Sequence, residues 1–387
     1  MIGVNAVSYR IPFNRPFVAG KELFYIGHAV TSGQIAENGV YTKRCSQLFE
    51  EKFGVRRALL TPSCTASLEM ATMLCDIGPG DEVIVPSYTF VSTASAVVRT
   101  GARPVFVDVR EDTLNMDESK IERAITNDTK MILPVHYAGV ACDMDAIMAI
   151  AQKHSLRVVE DAAQGVNAYY KGRALGSIGH LGAYSFHETK NYICGEGGAL
   201  CVNDPELVRK AEIIRDKGTN RQQFFRGEVD KYTWVSVGSS YVLSELSAAF
   251  LWAQLEQMET ISQRRAEAFE RYRNALEPLE SKGLLRLPRI PADCQSNYHM
   301  FYLLLPTPDL RDRLMAHLKK QGILSVFHYV PLHTSPVGRK LGYVDGDLPV
   351  TEALSARLLR LPLFFEITKD EQLEVAGHIV RFLTEAA

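Results

Sequence analysis

The segment RVVEDAAQ, residues 157–164, joins a short apolar run to an acidic pair and a group of small or polar residues. Its first half predicts a buried strand over 157–160, because valine-rich runs of this length are typical of strands covered on both faces. Asp161 would then stand at the carboxyl end of the strand, where a buried carboxylate needs a cation or hydrogen bonds. A helix N-cap is the alternative role for Asp161, and the residues alone leave both open.

The same alternation extends in both directions along the chain. Short runs rich in Val, Ile and Leu are separated by segments of helical period, which predicts an α/β fold with a large, mostly parallel mixed sheet of about seven strands. The predicted strands are 58–61, 82–86, 104–109, 130–136, 157–160, 181–186 and 199–203. The predicted helices are 67–75, 91–100, 118–125, 144–153 and 205–216.

The pattern changes near residue 245. A long helical pattern over 245–274 is expected to bridge two domains, and a smaller α+β domain follows it. Its predicted elements are strands 284–287, 300–305 and 323–326 and helices 310–321 and 370–385. We therefore divide the chain into an N-terminal segment 1–20, a large domain 21–255 and a small domain 256–387.

The composition is that of a folded protein without an excess of cations. Of the 387 residues, 46% are hydrophobic, and 43 Lys and Arg stand against 45 Asp and Glu, so we expect no nucleic-acid partner. No run approaches the roughly 20 apolar residues of a membrane span. Residues 1–10 lack the pattern of a secretion signal, and the seven cysteines form no C-x-x-C pair and no metal-type cluster with His. We expect a cytoplasmic protein with reduced thiols, no metal and no membrane contact.

Two further segments follow predicted strands at the same kind of position. LLTPSCTAS, residues 59–67, ends a strand at small hydroxyl residues and turns into a helix, whose first backbone N–H groups suit a phosphate. A simple N-cap at Ser63 or Thr65 is the alternative. SFHETKN, residues 185–191, places Lys190 on a loop between two buried strands, where its pKa is expected to be lowered and its amine nucleophilic. A solvated loop lysine is the alternative there.

Taken together, these three places predict a site for pyridoxal phosphate. A phosphate cradle, an acid that needs a cation and a partly buried lysine would all lie at the carboxyl ends of strands in one sheet. The lysine would form a Schiff base with the cofactor's aldehyde, and the carboxylate would keep the pyridine nitrogen protonated. Neither G-x-x-x-x-G-K-[ST] nor G-x-G-x-x-G occurs, which excludes the common nucleotide-binding loops.

Five motifs resemble those of the DegT/DnrJ/EryC1/StrS family of sugar aminotransferases. They are SCT at 63–65, PSYTFV at 86–91, DAAQ at 161–164, SFHxxKN at 185–191 and GEGG at 195–198. The resemblance runs from about residue 11 to the carboxyl end, with the motifs in the family's order. It implies the fold type I of pyridoxal phosphate-dependent transferases, that of aspartate aminotransferase, and a cofactor-binding role for the large domain.

The resemblance also implies roles for the motif residues. Lys190 would hold the cofactor and move the proton between substrate and cofactor, and Asp161 would pair with the pyridinium nitrogen. The other implied cofactor contacts are Phe90 stacked on the ring, Gln164 on the ring's 3-oxygen, and Cys64, Thr65, Ser185 and a partner subunit's Ser240 on the phosphate. At Ser240 the chain reads GSSYV, residues 238–242, where the family has G-x-N-Y-R, and this departure weakens that assignment.

Substrate contacts are implied for four residues in two other segments. Arg226 and Lys231 are candidates for the nucleotide diphosphate, with solvated loop residues as the alternative. FHYVPLH, residues 327–333, matches a family segment, so His328 and Tyr329 are candidates for the sugar, with packed loop residues as the alternative. The same choice applies to His333, whereas His136 and His187 are expected to be structural.

The activity implied by the resemblance is amino transfer from L-glutamate in a homodimer with shared active sites. Four segments are most similar to the branch that converts TDP-4-keto-6-deoxy-D-glucose to TDP-4-amino-4,6-dideoxy-D-galactose for enterobacterial common antigen: 60–69, 136–142, 217–226 and 230–241. A 3-keto sugar or a UDP- or GDP-linked sugar is the alternative substrate. A dehydrase using the same cofactor is a rival activity, against which Lys190 argues because the family's dehydrases have His there. A cofactor-binding regulator without turnover is the other rival.

Overall fold

The computed structural model describes residues 9–386, so the first eight residues of the predicted N-terminal segment lie outside it. The α-helices are α1 Glu22–Thr31, α2 Val40–Phe53, α3 Cys64–Leu74, α4 Val91–Val98, α5 Met144–His154, α6 Val208–Arg215, α7 Arg221–Phe225, α8 Glu245–Glu256, α9 Met258–Ser281, α10 Pro308–Lys320, α11 Pro336–Lys340, α12 Pro349–Arg357 and α13 Lys369–Ala386. The strands are β1 Arg57–Thr61, β2 Glu82–Pro86, β3 Arg103–Val107, β4 Thr129–Ile132, β5 Arg157–Asp161, β6 Tyr169–Tyr170, β7 Arg173–Ala174, β8 Leu181–Ser185, β9 Gly198–Val202, β10 Cys294–Gln295, β11 Phe301–Leu304 and β12 Leu358–Leu361.

A seven-stranded sheet in the order β1-β9-β8-β5-β4-β2-β3 forms the centre of the large domain. β9 runs antiparallel to both of its neighbours, and the other pairings are parallel. The predicted mostly parallel mixed sheet is therefore confirmed. β4 is shorter than the predicted strand 130–136, because Pro134 has no N–H to continue the ladder.

Two apolar cores cover the two faces of this sheet. One contains buried residues of α2, α5 and α8, with Phe49 stacked on Phe186 behind β8. The other contains buried residues of α3, α4 and α6. Helices on both faces explain why the strands are nearly continuous apolar runs, which is what made them recognisable in the sequence.

A third core lies towards the carboxyl end, where α9, α10 and α13 pack on the antiparallel pair β11 and β12. The α+β character predicted for this part is confirmed, although several of its elements differ. The predicted helix 245–274 is two helices, because Gln257 leaves the helical conformation at φ −101° and ψ 15°. The predicted strands 284–287 and 323–326 make only isolated bridges, and β12 was not predicted. The domain boundaries stay a prediction.

One predicted helix of the large domain is also wrong. Residues 118–125 form two short 3-10 turns, Glu118–Lys120 and Glu122–Ala124, in place of an α-helix. None of the helices within residues 9–386 is both long enough and apolar enough to cross a membrane.

Candidate active site

The candidate site lies where three parallel strands end. Asp161 is the last residue of β5, Ser185 is the last residue of β8, and β1 ends at Thr61, just before α3. The carboxyl ends of parallel strands share one edge of a sheet. The antiparallel strand between them adds its first residue, Gly198, which pairs with both Thr61 and Ser185.

The first turn of α3 offers backbone donors at this edge. Ser63 is the N-cap, and its hydroxyl accepts from the N–H of Ala66 at 3.1 Å. The N–H groups of Cys64 and Thr65 have no acceptor within residues 9–386. Ser63 is therefore the N-cap, as the alternative predicted, but the cap does not accept from the N–H groups of Cys64 and Thr65. Donors of this kind at a helix amino end suit an anion.

Asp161 is a buried acid with no cationic side chain paired to it in the described part of the chain. Its side chain is 5% exposed and accepts hydrogen bonds from the Thr93 hydroxyl at 2.7 Å and from the Ala163 N–H at 3.1 Å. Burial raises the pKa of Asp161, and these hydrogen bonds oppose the shift. No helix follows β5 directly, so the N-cap alternative is wrong. The carboxylate instead has the surroundings of a group that awaits a cationic ligand.

Lys190 lies on the loop between β8 and β9. Its side chain is partly buried and shares a small cavity with Gln164, Ser185 and His299, so a fully solvated lysine is excluded. Burial lowers the pKa of Lys190, while the Cys64 thiol and the Asp161 carboxylate nearby act in the opposite direction. A lowered pKa favours the neutral amine, the form that acts as a nucleophile or a base.

Four aromatic side chains lie next to the group formed by Lys190, Gln164 and Ser185. They are Phe90, Tyr137, His328 and Tyr329. Phe90 is the residue before α4 and exposes 56% of its surface, which is unusual for a large apolar side chain. Tyr329 lies 6.2 Å from Phe90 between ring centroids, and its hydroxyl accepts from the Gln164 amide at 3.0 Å. Its backbone has φ +52°, a left-handed conformation that few aromatic residues adopt.

The predicted substrate residue His328 is more enclosed than Tyr329. It is buried, and its Nδ1 atom shares a hydrogen bond of 2.7 Å with the Tyr137 hydroxyl. Burial lowers the pKa of His328 well below the usual value, which favours the neutral ring. His328 stacks on Tyr329 with ring centroids 3.6 Å apart. This contact is compatible with two roles for His328, which are to hold Tyr329 in position and to contact the substrate.

The other predicted substrate residues are not gathered into this cluster of the same chain. Arg226 pairs with Glu228 and, at 2.8 Å, with Glu212, which also pairs with Arg57 at the amino end of β1. That end is opposite to the edge that carries the site. Lys231 is exposed, and Ser240 is an exposed residue bridged to Asp216.

The histidines expected to be structural have partners within the protein. Cys142 donates its N–H to Nδ1 of His136, so Nε2 is the donor to buried Glu160 at 2.8 Å. His187 lies on the surface beside Thr189. His333 also proves structural, because it is buried between the Ser87 hydroxyl and Glu352 at 2.7 and 2.9 Å.

The sequence analysis missed residues that the carboxyl-terminal part brings to the site. The Asn297 amide donates to the backbone oxygen of Gln164 at 2.8 Å, and the Asn191 amide donates to the backbone oxygen of Asn297 at 2.9 Å. His299 shares a hydrogen bond of 2.9 Å with Asn191, the neighbour of Lys190. Asn297 and His299 stand at the amino end of a predicted strand, whereas the search concentrated on carboxyl ends. Burial lowers the pKa of His299 well below its usual value.

The residues present fit pyridoxal phosphate. The unpaired buried acid matches a protonated ring nitrogen, the free N–H groups of Cys64 and Thr65 match a phosphate, and exposed Phe90 matches an aromatic ring. Lys190 lies in the same cluster with a lowered pKa. Each of these features is costly or unusual without a ligand of this chemistry.

Comparisons with known proteins agree with this chemistry. The model of the DegT/DnrJ/EryC1/StrS aminotransferase family matches residues 19–380. The chain is 35% identical over 385 residues to the uncharacterized protein MJ1066 of Methanocaldococcus jannaschii, covering 98% of each chain. It is also 35% identical over 372 residues to the spore coat polysaccharide biosynthesis protein SpsC of Bacillus subtilis, covering 94% of this chain and 95% of SpsC.

The fold has solved counterparts. Spr1654 of Streptococcus pneumoniae, a sugar aminotransferase candidate solved in its PMP form, matches with a TM-score of 0.91 at 25% identity, covering 98% of this chain and 100% of that one. The same protein has also been solved in a PLP form. The aspartate aminotransferase-like fold type I predicted for this chain is therefore confirmed.

Proposed function

Because the chain belongs to the DegT/DnrJ/EryC1/StrS aminotransferase family, we propose that it aminates TDP-4-keto-6-deoxy-D-glucose at C4 with L-glutamate as donor and pyridoxal phosphate as cofactor. The products are TDP-4-amino-4,6-dideoxy-D-galactose and 2-oxoglutarate. The observation that carries the reaction type is the placement of Lys190, Asp161 and the open turn of α3 at one edge of the sheet. Support for this particular sugar is the similarity of segments 60–69, 136–142, 217–226 and 230–241 to that branch of the family.

The site residues divide into those that hold the cofactor and those that act on the substrates. The N–H groups of Cys64 and Thr65, with the hydroxyl of Ser185, hold the phosphate, and Phe90 covers one face of the ring. Gln164 Nε2 donates to Tyr329 in the structure, and we assign it to the ring's 3-oxygen. Asp161 keeps a lone pair free on each oxygen beside the bonds from Thr93 and Ala163, and binds the ring N–H.

When bound, pyridoxal phosphate supplies an aldehyde that accepts the amino group and a cationic ring that withdraws electrons from the reacting carbon. Lys190 Nζ moves the protons in both halves of the reaction. It removes a proton from the α carbon of glutamate in the first half, and it delivers one to C4 of the sugar in the second. We propose that Tyr329 and Phe90, whose ring centroids lie 6.2 Å apart, limit the access of water to this amine.

We propose a homodimer as the functional unit. Exposed apolar side chains lie on α1, including Leu23 and Phe24, and on the segment 224–237, including Trp234 and Val237. Exposed apolar surface of this extent is typical of a protein interface. A partner subunit would bring its Arg226, Lys231 and Ser240 to the site, which accounts for their position outside the Lys190 cluster of their own chain. The seven free cysteines fit a reducing, cytoplasmic location.

The decisive experiment is turnover of TDP-4-keto-6-deoxy-D-glucose with L-glutamate by the purified protein and pyridoxal phosphate. We expect an amino sugar whose C4 nitrogen is axial, assigned by NMR, and no product from the Lys190→Ala variant. Glutamate alone is expected to convert the cofactor's visible-edge absorbance to the shorter-wavelength amine form. Amination of only a 3-keto, UDP-linked or GDP-linked sugar would refute the substrate, and loss of water from the sugar without amination would refute the reaction.

A further inference from the structure

His299, which is buried at the candidate site, carries a ring nitrogen to which no described residue donates. The Asn191 amide nitrogen donates to the backbone oxygen of Asn297 at 2.9 Å, so the Asn191 amide oxygen is the atom that faces the His299 ring. An amide oxygen only accepts, and Nδ1 of His299, 2.9 Å away, therefore carries the ring hydrogen. This tautomer leaves a lone pair on Nε2, which makes no hydrogen bond within residues 9–386.

The Lys190 amine has the complementary deficiency. The backbone N–H of Lys190 donates to His187, but its Nζ atom has no acceptor in the part of the chain that the structure describes. Lys190 and His299 line the same small cavity, which is about the size of one water molecule. Nε2 of His299 is not sealed in the core, and this cavity is the open space that the residue lines. An unused donor and an unused acceptor therefore share one small space, where polar groups normally pair.

The surroundings of His299 keep its ring in place and favour the neutral form. Burial lowers the pKa of His299 well below its usual value, and nearby Lys190, Arg265, Arg360 and His328 act in the same direction. Arg265 also donates to the backbone oxygen of His299 at 2.6 Å, which fixes the main chain behind the ring. The ring therefore does not compete with Lys190 for a proton. A fixed, neutral acceptor is suited to orienting an amine.

We propose that His299 is a positioning residue whose Nε2 atom accepts a hydrogen bond from the Lys190 amine, directly or through one water molecule, whenever that amine is not bound to the cofactor. The inference rests on the proposed amino transfer, in which the free amine moves the protons in both halves. A free lysine side chain has many rotamers, and one fixed acceptor reduces the number that it samples before each proton transfer. Lys190 stays the catalytic residue, and no proton passes to the ring. The alternative is that His299 only joins Asn191 to the carboxyl-terminal part of the chain.

The first test measures the pKa of Lys190 in the cofactor-free protein. The pH dependence of its labelling by acetic anhydride, read by mass spectrometry of the peptide that contains Lys190, gives this pKa. A neutral acceptor favours the charged amine, because an ammonium group is the stronger hydrogen-bond donor. His299→Asn keeps an amide that can donate to Asn191 but does not reach the cavity, so we expect the pKa of Lys190 to fall by about one pH unit. His299→Gln, whose amide reaches about as far as Nε2, should restore most of this loss.

The second test follows single turnovers of the holoenzyme in each half-reaction. We expect His299→Asn to slow the half with L-glutamate and the half with TDP-4-keto-6-deoxy-D-glucose alike, by about 10-fold or more, because Lys190 serves both. L-Glutamate deuterated at its α carbon should show an isotope effect no smaller than that of the wild type, which marks proton transfer as the slowed step. The Kd for pyridoxal phosphate should change less than about threefold, because no proposed cofactor contact is lost.

Two further variants keep the result specific. His333→Asn is the matched control, because His333 is also buried but is bonded at both ring nitrogens, and it should leave the pKa of Lys190 and the isotope effect unchanged. If His299→Asn does not fold, Asn191→Ala removes the group that fixes the tautomer and should lower the pKa of Lys190 in the same direction. An unchanged pKa of Lys190, a slowing confined to one half-reaction, or a His299→Gln variant no better than His299→Asn would each overturn the assignment. A wild type that aminates no sugar with any donor would instead overturn the proposed function.

Discussion

Gly198→Ala should damage the phosphate cradle without touching a catalytic side chain. A Cβ atom at residue 198 would lie 2.5 Å from Cys64 N and from the Ser63 carbonyl carbon, whereas ordinary contacts begin at 3.4 Å. The first turn of α3 must therefore move by about 0.9 Å, since β9 is held by Thr61 and Ser185 on both sides. Overpacking of this size costs about 1–3 kcal/mol of folding free energy.

The same shift should cost more free energy of cofactor binding than free energy of folding. Displacing two donors by about 0.9 Å lengthens their bonds beyond hydrogen-bond range, and each bond to a charged group contributes about 1.5–3 kcal/mol. The two bonds together contribute about 3 kcal/mol or more, so we expect the Kd for pyridoxal phosphate to rise at least about 150-fold.

Urea unfolding of the cofactor-free protein and a fluorescence titration with pyridoxal phosphate measure these two effects. Gly78→Ala is the matched control, because a Cβ there meets nothing within 4 Å, and it should stay within about 0.5 kcal/mol of the wild type. If Gly198→Ala binds the cofactor as tightly as Gly78→Ala does, the turn of α3 is not the phosphate site.

Three further predictions concern titratable groups of the site. Lys190→Ala should reduce amino-sugar formation at least about 10³-fold while leaving urea unfolding of the cofactor-free protein nearly unchanged, because the proton carrier is lost but no core contact is. Asp161→Asn should weaken pyridoxal phosphate binding about 10-fold or more in the same titration, yet leave the cofactor-free protein as stable or more stable, because burial already raises the pKa of this acid. Burial holds the pKa values of His299 and His328 well below 6.5, so below that pH the unfolded chain binds protons that the folded chain does not. Stability should therefore fall with decreasing pH by up to about 1.4 kcal/mol per unit for each histidine, and urea midpoints between pH 7.5 and pH 5.5 should change less in His328→Gln than in the wild type.

The half of the site that is proposed to hold the cofactor was predictable because its residues lie next to strand ends. Asp161 and Ser185 are the last residues of their strands, and Cys64 and Lys190 follow within a few residues. An apolar run predicts each strand, and the parallel arrangement brings the carboxyl ends together. Local sequence therefore carries most of the geometry. The family resemblance supplied the proposed cofactor contacts at Phe90 and Gln164, which periodicity alone does not indicate.

The other half depends on how the carboxyl-terminal part docks onto the sheet. Asn297 is separated by 133 positions from Gln164, to whose backbone it donates. His299 precedes β11, at the end of a strand where no ligand was sought. No local pattern records these contacts, because they join residues separated by 106 to 133 positions in the chain.

Arg360 shows the same difficulty within a single strand. In the sequence LLRLP an arginine between leucines reads as the one residue that faces solvent, and the run is too short to separate a strand from the end of α12. In the structure that face of β12 is covered by the tyrosines of the large domain, so the residue is only partly exposed and its Nε atom is shut off from solvent. If this division is general for the chain, changes near 57–66 and 157–198 should alter whether the cofactor binds, whereas changes near 297–299 and 326–329 should alter which donor and sugar react.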